Sequence, residues 1–492
     1  MSSGVTITIQ DNGLGQVSPG SGRIQVVVGI TSTGTPNQIL ASSNPNDFIT
    51  AYGYGPAVEA ASLIANSAGQ PVILIKASQN IAGTNSNIKS GSANTSTSAV
   101  TLTGAPVDTY YGQVTVNTAG TIGVNGIILN VSLDANRTFT TVALGTAATY
   151  AIPNTGLTLN FGAGTMVVGD TFSWYSKEPL WSDTTVASAI QALWGYQTQF
   201  LNILVTGDSA SSDATSFATD QNTLFNKKQF TALLLNARDA LWGGASTETE
   251  AAWMTSIEND YQNFVSDYVS VSGGHYNITS PISQIQYRRP ASWVAAVRDA
   301  QQNLGQDIGQ VSSGPNGPGG PMAPLTLPST PDAYIYHNEL VNPGLDGARF
   351  LALQSYQGFP GLYVDNPNMM AAPGSDLNWL QRVEVIDEFC RVVYKFFTEE
   401  LSQAVPVSPT TGFILPAAAN DIEQRCNAEL TADLVGSSPP AVTAANVVIS
   451  RTNNILATSQ LIVTGNIIPL GYIKSVPITV RFVNPANAVV GP

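Results

Sequence analysis

The sequence predicts a multidomain α+β / α/β fold: a helix-covered mixed sheet core, an inserted all-β domain, and extended strand arms at the N- and C-termini. Three observations predict it. Short apolar strands alternate with helices over residues 23–79 and again after residue 179, the rhythm of a partly parallel sheet with helices on its faces. Between them, over residues 99–175, helical periodicity stops. Short strands separated by Gly and Asn take over, and Asp108, Asp134, Arg137 and Asp170 are the charges. At the ends the chain reads as strand with little around it. Val5, Thr6, Ile7, Thr8 and Ile9 precede a Gly/Ser/Pro stretch, and at 476–483 Val476, Ile478, Val480 and Phe482 alternate with Pro477, Thr479, Arg481 and Val483. A loose strand at one end and a strand near the other can each add an edge to a neighbour's sheet, which predicts a polymer built by strand exchange.

The elements follow in order. Residues 1–22 form an N-terminal arm, with Gly13, Gly15, Gly20 and Gly22 as its hinge. The core α/β segment, 23–79, holds a buried-type strand at 23–30, a short helix capped by Asn44, an Ala-rich helix at 57–68 stopped by Gly69, and a strand at 71–76. The inserted β domain, 80–178, opens with a Ser/Thr/Asn/Gly-rich linker at 80–98. Its strands fall at 100–102, 112–117, 126–133, 138–142, 157–161 and 171–175. A middle α/β domain, 179–375, alternates helices at 184–195, 213–226, 247–264 and 290–303 with strands at 200–205, 230–235 and 267–271. Six prolines and four glycines make 312–334 an extended loop. The C-terminal domain, 376–492, has its longest helix at 376–401. There Val383, Ile386, Cys390, Val393 and Phe397 make one apolar stripe and Val385, Phe389, Val392 and Phe396 a second, so burial on two sides is expected. A helix at 420–429 and strands at 461–465, 466–473 and 476–483 complete the chain.

Composition narrows the function. Of 492 residues 43% are hydrophobic, enough for a large core, while charged residues are 11%, well under the roughly 25% usual for soluble proteins. A neutral polar surface packs closely against other protein because few charges must be desolvated. The formal net charge of −14, with no Lys/Arg-rich run, argues against nucleic acid and anionic membranes as partners. No apolar run approaches the roughly 18 residues of a spanning helix, so no direct membrane insertion is expected. The start of the chain lacks a basic stretch followed by an apolar one, so a secretory leader is not expected and synthesis in a cytoplasm is. Cys390 and Cys426 are far apart in sequence; they could pair, but read as buried thiols in a reducing compartment.

No catalytic pattern in the sequence is compelling. His275, in a Gly-Gly-His-Tyr-Asn run, reads as a turn residue, and His337 as the end of a strand; neither sits in a metal-ligand or nucleophile-elbow context. Gly53 and Gly55 flank Tyr54 in a plain turn and not a dinucleotide loop. Glu384, Asp387 and Glu388 cluster on the long helix, and Arg391 lies where intrahelical ion pairs would absorb them. Arg288 and Arg289, the adjacent arginine pair, read as salt-bridge partners within or between subunits. No cofactor, metal or catalytic residue is expected.

Motif order along the chain resembles the contractile tail sheath proteins of tailed, myovirus-type bacteriophages and related contractile injection systems. The carriers are the strand at 26–32 leading into 44–47 and the Gly/aromatic turn at 52–55; the stretches 132–134, 152–159 and 169–172 of the β domain; and the long helix, second helix and closing strands at 471–482. The loop 312–334 has no counterpart in this resemblance. The resemblance implies a structural subunit, not an enzyme, made in a host cytoplasm and located in the virion tail sheath, with the inserted β domain, 80–178, protruding. Its subunits stack in hexameric rings as a helical homo-oligomer around a tail tube protein, bounded by baseplate and tail terminator proteins. Arm strands at Val5–Ile9 and at Ile478, Thr479, Val480, Arg481 and Phe482 pair with neighbours and hold the lattice together while it contracts to drive the tube through a cell envelope. A carbohydrate-active enzyme with an appended β module is the competing expectation, since sparse charge and abundant Tyr and Trp suit sugars, but it needs two carboxylates facing a cleft. A secreted β-rich adhesin is a third and fits the α/β half poorly.

Overall fold

The computed structural model describes residues 23–241, 247–312, 319–322, 325–327 and 334–479. Its centre is a six-stranded sheet. β1 (Gln25–Gly29) lies between β3 (Val72–Lys76) and the strand Asn202–Val205, parallel to both; Ala232–Asn236 and Val269–Ser272 continue the parallel run, and β2 (Ile39–Ser42) closes the far edge antiparallel to β3. These strands read VVV, VILI, NILV and ALLL, without polar alternation, because both faces are covered. Val27, Leu74 and Leu204 point to one face, against helices α2 (Pro56–Ala68) and α6 (Ala291–Gln301). Val26, Val28, Ile73, Ile75 and Ile203 point to the other, against α3 (Asp183–Gln191), α4 (Ser211–Asn226) and α5 (Glu250–Tyr261). The order places the first strand inside the sheet, a doubly wound arrangement.

Local signals act as read. The Asn44 side chain accepts from the Asn46 amide at 3.1 Å and opens α1 (Pro45–Tyr52). Gly69, at φ 63°, ends α2 in the left-handed region.

The β-rich stretch folds as one sheet ordered Thr140–Ala143, Ile128–Ser132, Tyr110–Thr118, Thr171–Lys177, and another ordered Thr149–Ile152, Leu157–Phe161, Val100–Gly104. Tyr110, Gly112, Val114 and Val116 alternate inward with half-buried residues between them, and pack with Leu129, Leu159, Phe172 and Trp174. A side chain at Gly112 would fall 2.0 Å from the Trp174 ring, so glycine is required there. The expected linker is partly strand: Thr84–Asn85 and Lys89–Ser90 pair with Thr171–Lys177, their polar side chains facing water while the backbone is laddered. The strand Thr149–Ile152 was not anticipated; only Ile152 in it is buried, so it carries no alternation to read. Ile81 and Leu180 form a bridge where the chain enters and leaves this region.

The C-terminal region contains α7 (Leu380–Glu399), α8 (Pro416–Leu430) and a two-stranded sheet of Val442–Ile449 and Val463–Pro469. Of the two α7 stripes, Val385, Phe389, Val392 and Phe396 are buried, whereas of the other only Val383 is; Ile386, Cys390, Val393 and Phe397 are half-buried. Two of the anticipated terminal strands merge into one. Residues 470–479 carry no strand, and residues 1–22 and 480–492 lie outside the described residues, with Val5, Thr6, Ile7, Thr8, Ile9, Gly13, Gly15, Gly20, Gly22, Val480, Arg481 and Phe482. Most of 312–334 lies outside them too; within it Leu325–Thr326 pairs with His275–Thr279. Both cysteines are free thiols, Cys426 buried and Cys390 only half-buried.

Candidate assembly site

The hairpin pairs Val442 with Pro469, Asn446 with Asn466 and Ile449 with Val463. Val442, Val447 and Ile449 turn inward with Ile422, Cys426 and Leu430 of α8, while Val448 and Ile468 are exposed. Its two outer edges differ. On the Val442–Ile449 side, the Val447 amide donates to Asn427 Oδ1 at 2.7 Å and the Ile449 amide to Glu423 Oε1 at 2.5 Å. Two α8 side chains therefore occupy the groups a further strand would need. Glu423 is fixed in turn by Arg451 Nη2 at 2.8 Å; burial raises its pKa, but the bonds from Arg451 and the Ile449 amide outweigh that and hold it below the usual carboxylate value. Because Val447 faces α8 and sits opposite Gly465, the outward groups of the partner strand are those of Val463, Gly465 and Ile467. Among the described residues these have no hydrogen-bond partner. The edge is open.

Beyond Pro469 the chain is tacked to the body at two points. Tyr472 Oη donates to the Gly305 carbonyl at 2.7 Å, and Lys474 Nζ lies 2.5 Å from Asp307 Oδ2. The Trp379 ring gathers this contact: Tyr472 meets it edge-on at 6.0 Å, Lys474 Nζ lies 5.3 Å from its centroid and the Arg382 guanidinium 4.5 Å. No sequence signal marked this tether. Past it Val476, Ile478 and Thr479 are exposed, Ile478 at 79%.

At the other end the described residues begin at Arg23, beside β1. Arg23 Nη2 lies 2.6 Å from Asp299 Oδ1 and 2.6 Å from Glu384 Oε2, and its Nε donates to the Asp299 carbonyl at 3.0 Å. Gln25 Nε2 donates to Asp299 Oδ2 at 2.6 Å; Asn202 Nδ2 reaches Asp299 Oδ2 at 2.8 Å and Glu384 Oε1 at 3.1 Å. This corrects the reading of the α7 carboxylates as one intrahelical set. Glu388 does pair with Arg391 at 2.8 Å. Glu384 faces inward to another helix and the strand root. Asp387 is buried, its pKa pushed up to about 7 by that burial, with Arg391 opposing. A long helix with two inward faces puts three neighbouring acids into three environments.

The histidines are corrected likewise. His275 opens the strand His275–Thr279 and is buried, with Nε2 3.1 Å from Asp208 Oδ1 and Nδ1 3.5 Å from Asp239 Oδ1. His337 lies outside any strand, Nδ1 2.9 Å from Glu250 Oε1 and Nε2 2.9 Å from Glu339 Oε2. Burial lowers both pKa values, but flanking carboxylates outweigh it and raise them. The arginine pair acts as expected: Arg288 Nε is 2.6 Å from Asp239, and Arg289 Nη2 is 2.6 Å from both Glu59 and Asp108. Glu59 and Asp108 line a cleft of about 410 Å³ between the β-rich region and the core, and both are engaged by Arg289. Among the described residues no His/Cys/Asp/Glu group could hold a metal ion, and no helix is long and apolar enough to cross a membrane.

The fold is shared with solved structures. A chain of the anti-feeding prophage baseplate, in a six-fold symmetrised reconstruction, is similar over 98% of this chain and 99% of its own, at 9% identity and a TM-score of 0.51. A sheath tail protein from Desulfitobacterium hafniense matches over 95% of this chain and all of its own (12% identity, TM-score 0.44), and one from Listeria innocua over 92% and 93% (11%, 0.45). No curated protein matches. The family model described as DUF2586, N-terminal domain, matches residues 2–368, three quarters of the sequence, and the chain belongs to that family.

Proposed function

We propose that this protein is the structural subunit of a contractile tail sheath, polymerising helically around a tail tube and shortening to drive it through a cell envelope. The observation that carries this reading is the hairpin's asymmetry: one edge sealed by Glu423 and Asn427, the other open at Val463, Gly465 and Ile467. An open edge inside a sheath-like fold accepts a strand from another copy. The donors are the chain ends, Val5–Ile9 and Ile478–Phe482, with Gly13, Gly15, Gly20 and Gly22 absorbing the change in direction. Backbone ladder bonds depend little on side-chain identity, so they survive rigid-body rotation while body contacts exchange. A head-to-tail contact that does not close on itself makes a filament.

In this reading residues 80–178 are an insertion that protrudes from the shaft, and 376–492 is the domain that receives the arms. The partners are further copies in six-fold rings, a tail tube protein, and baseplate and terminator proteins; no nucleic acid, membrane or cofactor takes part. The protein works in the tail of a virion or of a related injection particle.

The test uses the full chain. Negative-stain microscopy of purified protein shows rings or striated tubes. Ile467→Pro removes one outward N–H without touching a bond to Val442–Ile449. The variant keeps its circular dichroism spectrum and a cooperative melt, and tube yield falls at least tenfold. Tubes from folded Ile467→Pro at wild-type yield overturn the acceptor edge; a wild-type protein that stays monomeric at all concentrations and salts overturns the sheath reading.

A further inference from the structure

The root of the N-terminal arm is held by more than the ladder of β1. Arg23 is the first described residue, and it enters a socket between α6 and α7. Asp299 supplies the α6 wall and Glu384 the α7 wall; each is 1% exposed, and Arg23 is 16% exposed at the mouth. Two carboxyl groups meet one guanidinium, and Asn202 Nδ2 also donates to both, so the two acids are close neighbours. Two buried acids around a single cation are favoured with a proton on one of them. The donors decide which group carries it. Asp299 takes Arg23 Nη2 on Oδ1 and both Gln25 Nε2 and Asn202 Nδ2 on Oδ2, while Glu384 receives Arg23 and Asn202 alone.

We propose that Arg23, Asp299 and Glu384 form a load-bearing socket that pins the root of the N-terminal arm to α6 and α7, with Asp299 as the charge partner of Arg23 and Glu384 held as the neutral acid. The role in bearing load rests on the reading of residues 1–22 as a donated arm; the protonation pattern does not. In a lattice linked by arms, tension on an arm arrives at its first fixed residue. A guanidinium gripped from two helices passes that tension into the body of the subunit and spares the end of β1, where ladder bonds would otherwise open one at a time. The neutral acid matters because a second buried negative charge would outweigh the single cation. The titratable groups facing Glu384 are Arg23 from the strand root, Asp299 from α6 and Tyr472 from the C-terminal tail. Burial, with Asp299 beside it, raises the Glu384 pKa well above the carboxylate range against the pull of Arg23. A carboxyl raised on folding stabilises least at high pH: below its unfolded value both states are protonated, and stability is lost as pH rises toward the folded value.

Three variants test this in the intact chain: Glu384→Gln, Asp299→Asn and Arg23→Gln. Glu384→Gln imitates the neutral acid. It melts within about a degree of wild type at pH 5 and increasingly above it as pH rises to 9, by several degrees. Asp299→Asn and Arg23→Gln melt lower at every pH. Equal damage from Glu384→Gln and Asp299→Asn at pH 5, or a difference between Glu384→Gln and wild type that does not change with pH, overturns the protonation pattern. Load is read separately, by optical-tweezers pulling between handles at residues 2 and 399. The first rupture force drops for Arg23→Gln and Asp299→Asn and holds for Glu384→Gln; one force for all four proteins overturns the load-bearing role. Neither readout requires tubes, so failure here is distinct from failure of the sheath reading.

Discussion

At the scale of single residues, part of the sparse charge of this chain is buried inside it. Asp387 is the clearest case. It is 1% exposed, on an α7 face where Arg391 is committed to Glu388 and to the carbonyls of Phe200 and Phe230. Burial lifts its pKa from an ordinary 3.8 to about 7. The sign follows from proton counting: between those values the folded chain holds a proton the unfolded chain has released, so stability falls as pH rises across that window and then levels off. Asp387→Asn keeps the shape and removes the ionisation. It is expected to be near neutral at pH 4 and to stabilise by about 1–3 kcal/mol at pH 8, read from urea midpoints at the two pH values. A constant difference at both would mean that Asp387 does not titrate in this window.

At the scale of elements, the hairpin separates what a sequence can reveal from what it cannot. Its neighbours were legible. α2 carries its own stop in Gly69, α7 its own stripes, and the parallel strands their unbroken apolar runs, because each signal is local to the element that obeys it. The hairpin's edges were not legible. Glu423 and Asn427 look like ordinary surface residues of a helix, and their role exists only once the helix lies against Val447 and Ile449, some twenty residues on. The Arg23 socket and the Trp379 tether escaped for the same reason, since their members are separated by tens to hundreds of residues. The strand Thr149–Ile152 escaped because it buries a single side chain. The edge plug can be tested by removing it. Glu423→Ala with Asn427→Ala strips two backbone donors of their acceptors, a loss of about 1–3 kcal/mol. It also opens a second edge, so the variant should associate through the wrong strand. Light scattering of the folded variant would rise, and tubes would give way to irregular aggregates. Unchanged assembly with lowered stability would make the plug a local bond and nothing more.

At the scale of the whole molecule, the body and its ends obey different rules. Among the described residues the two core layers begin at β1 and close through α2–α6, and the Arg23 socket lies beyond a cut at residue 20. Deleting residues 1–20 is therefore expected to leave the melting temperature within about 2 °C of wild type. Assembly should respond very differently. On the proposed strand exchange, an arm strand at Val5–Ile9 would bring about five ladder bonds, each contributing about 1 kcal/mol net, so its loss would weaken every joint between neighbours by roughly 10³-fold or more. A filament joined by many identical contacts fails as a unit when each is weakened that far. The truncated chain should sediment as a monomer at concentrations where the full chain forms tubes. A truncated chain that is unstable would place the arm inside its own subunit, and one that is stable and still forms tubes would leave the lattice to be held by contacts between bodies.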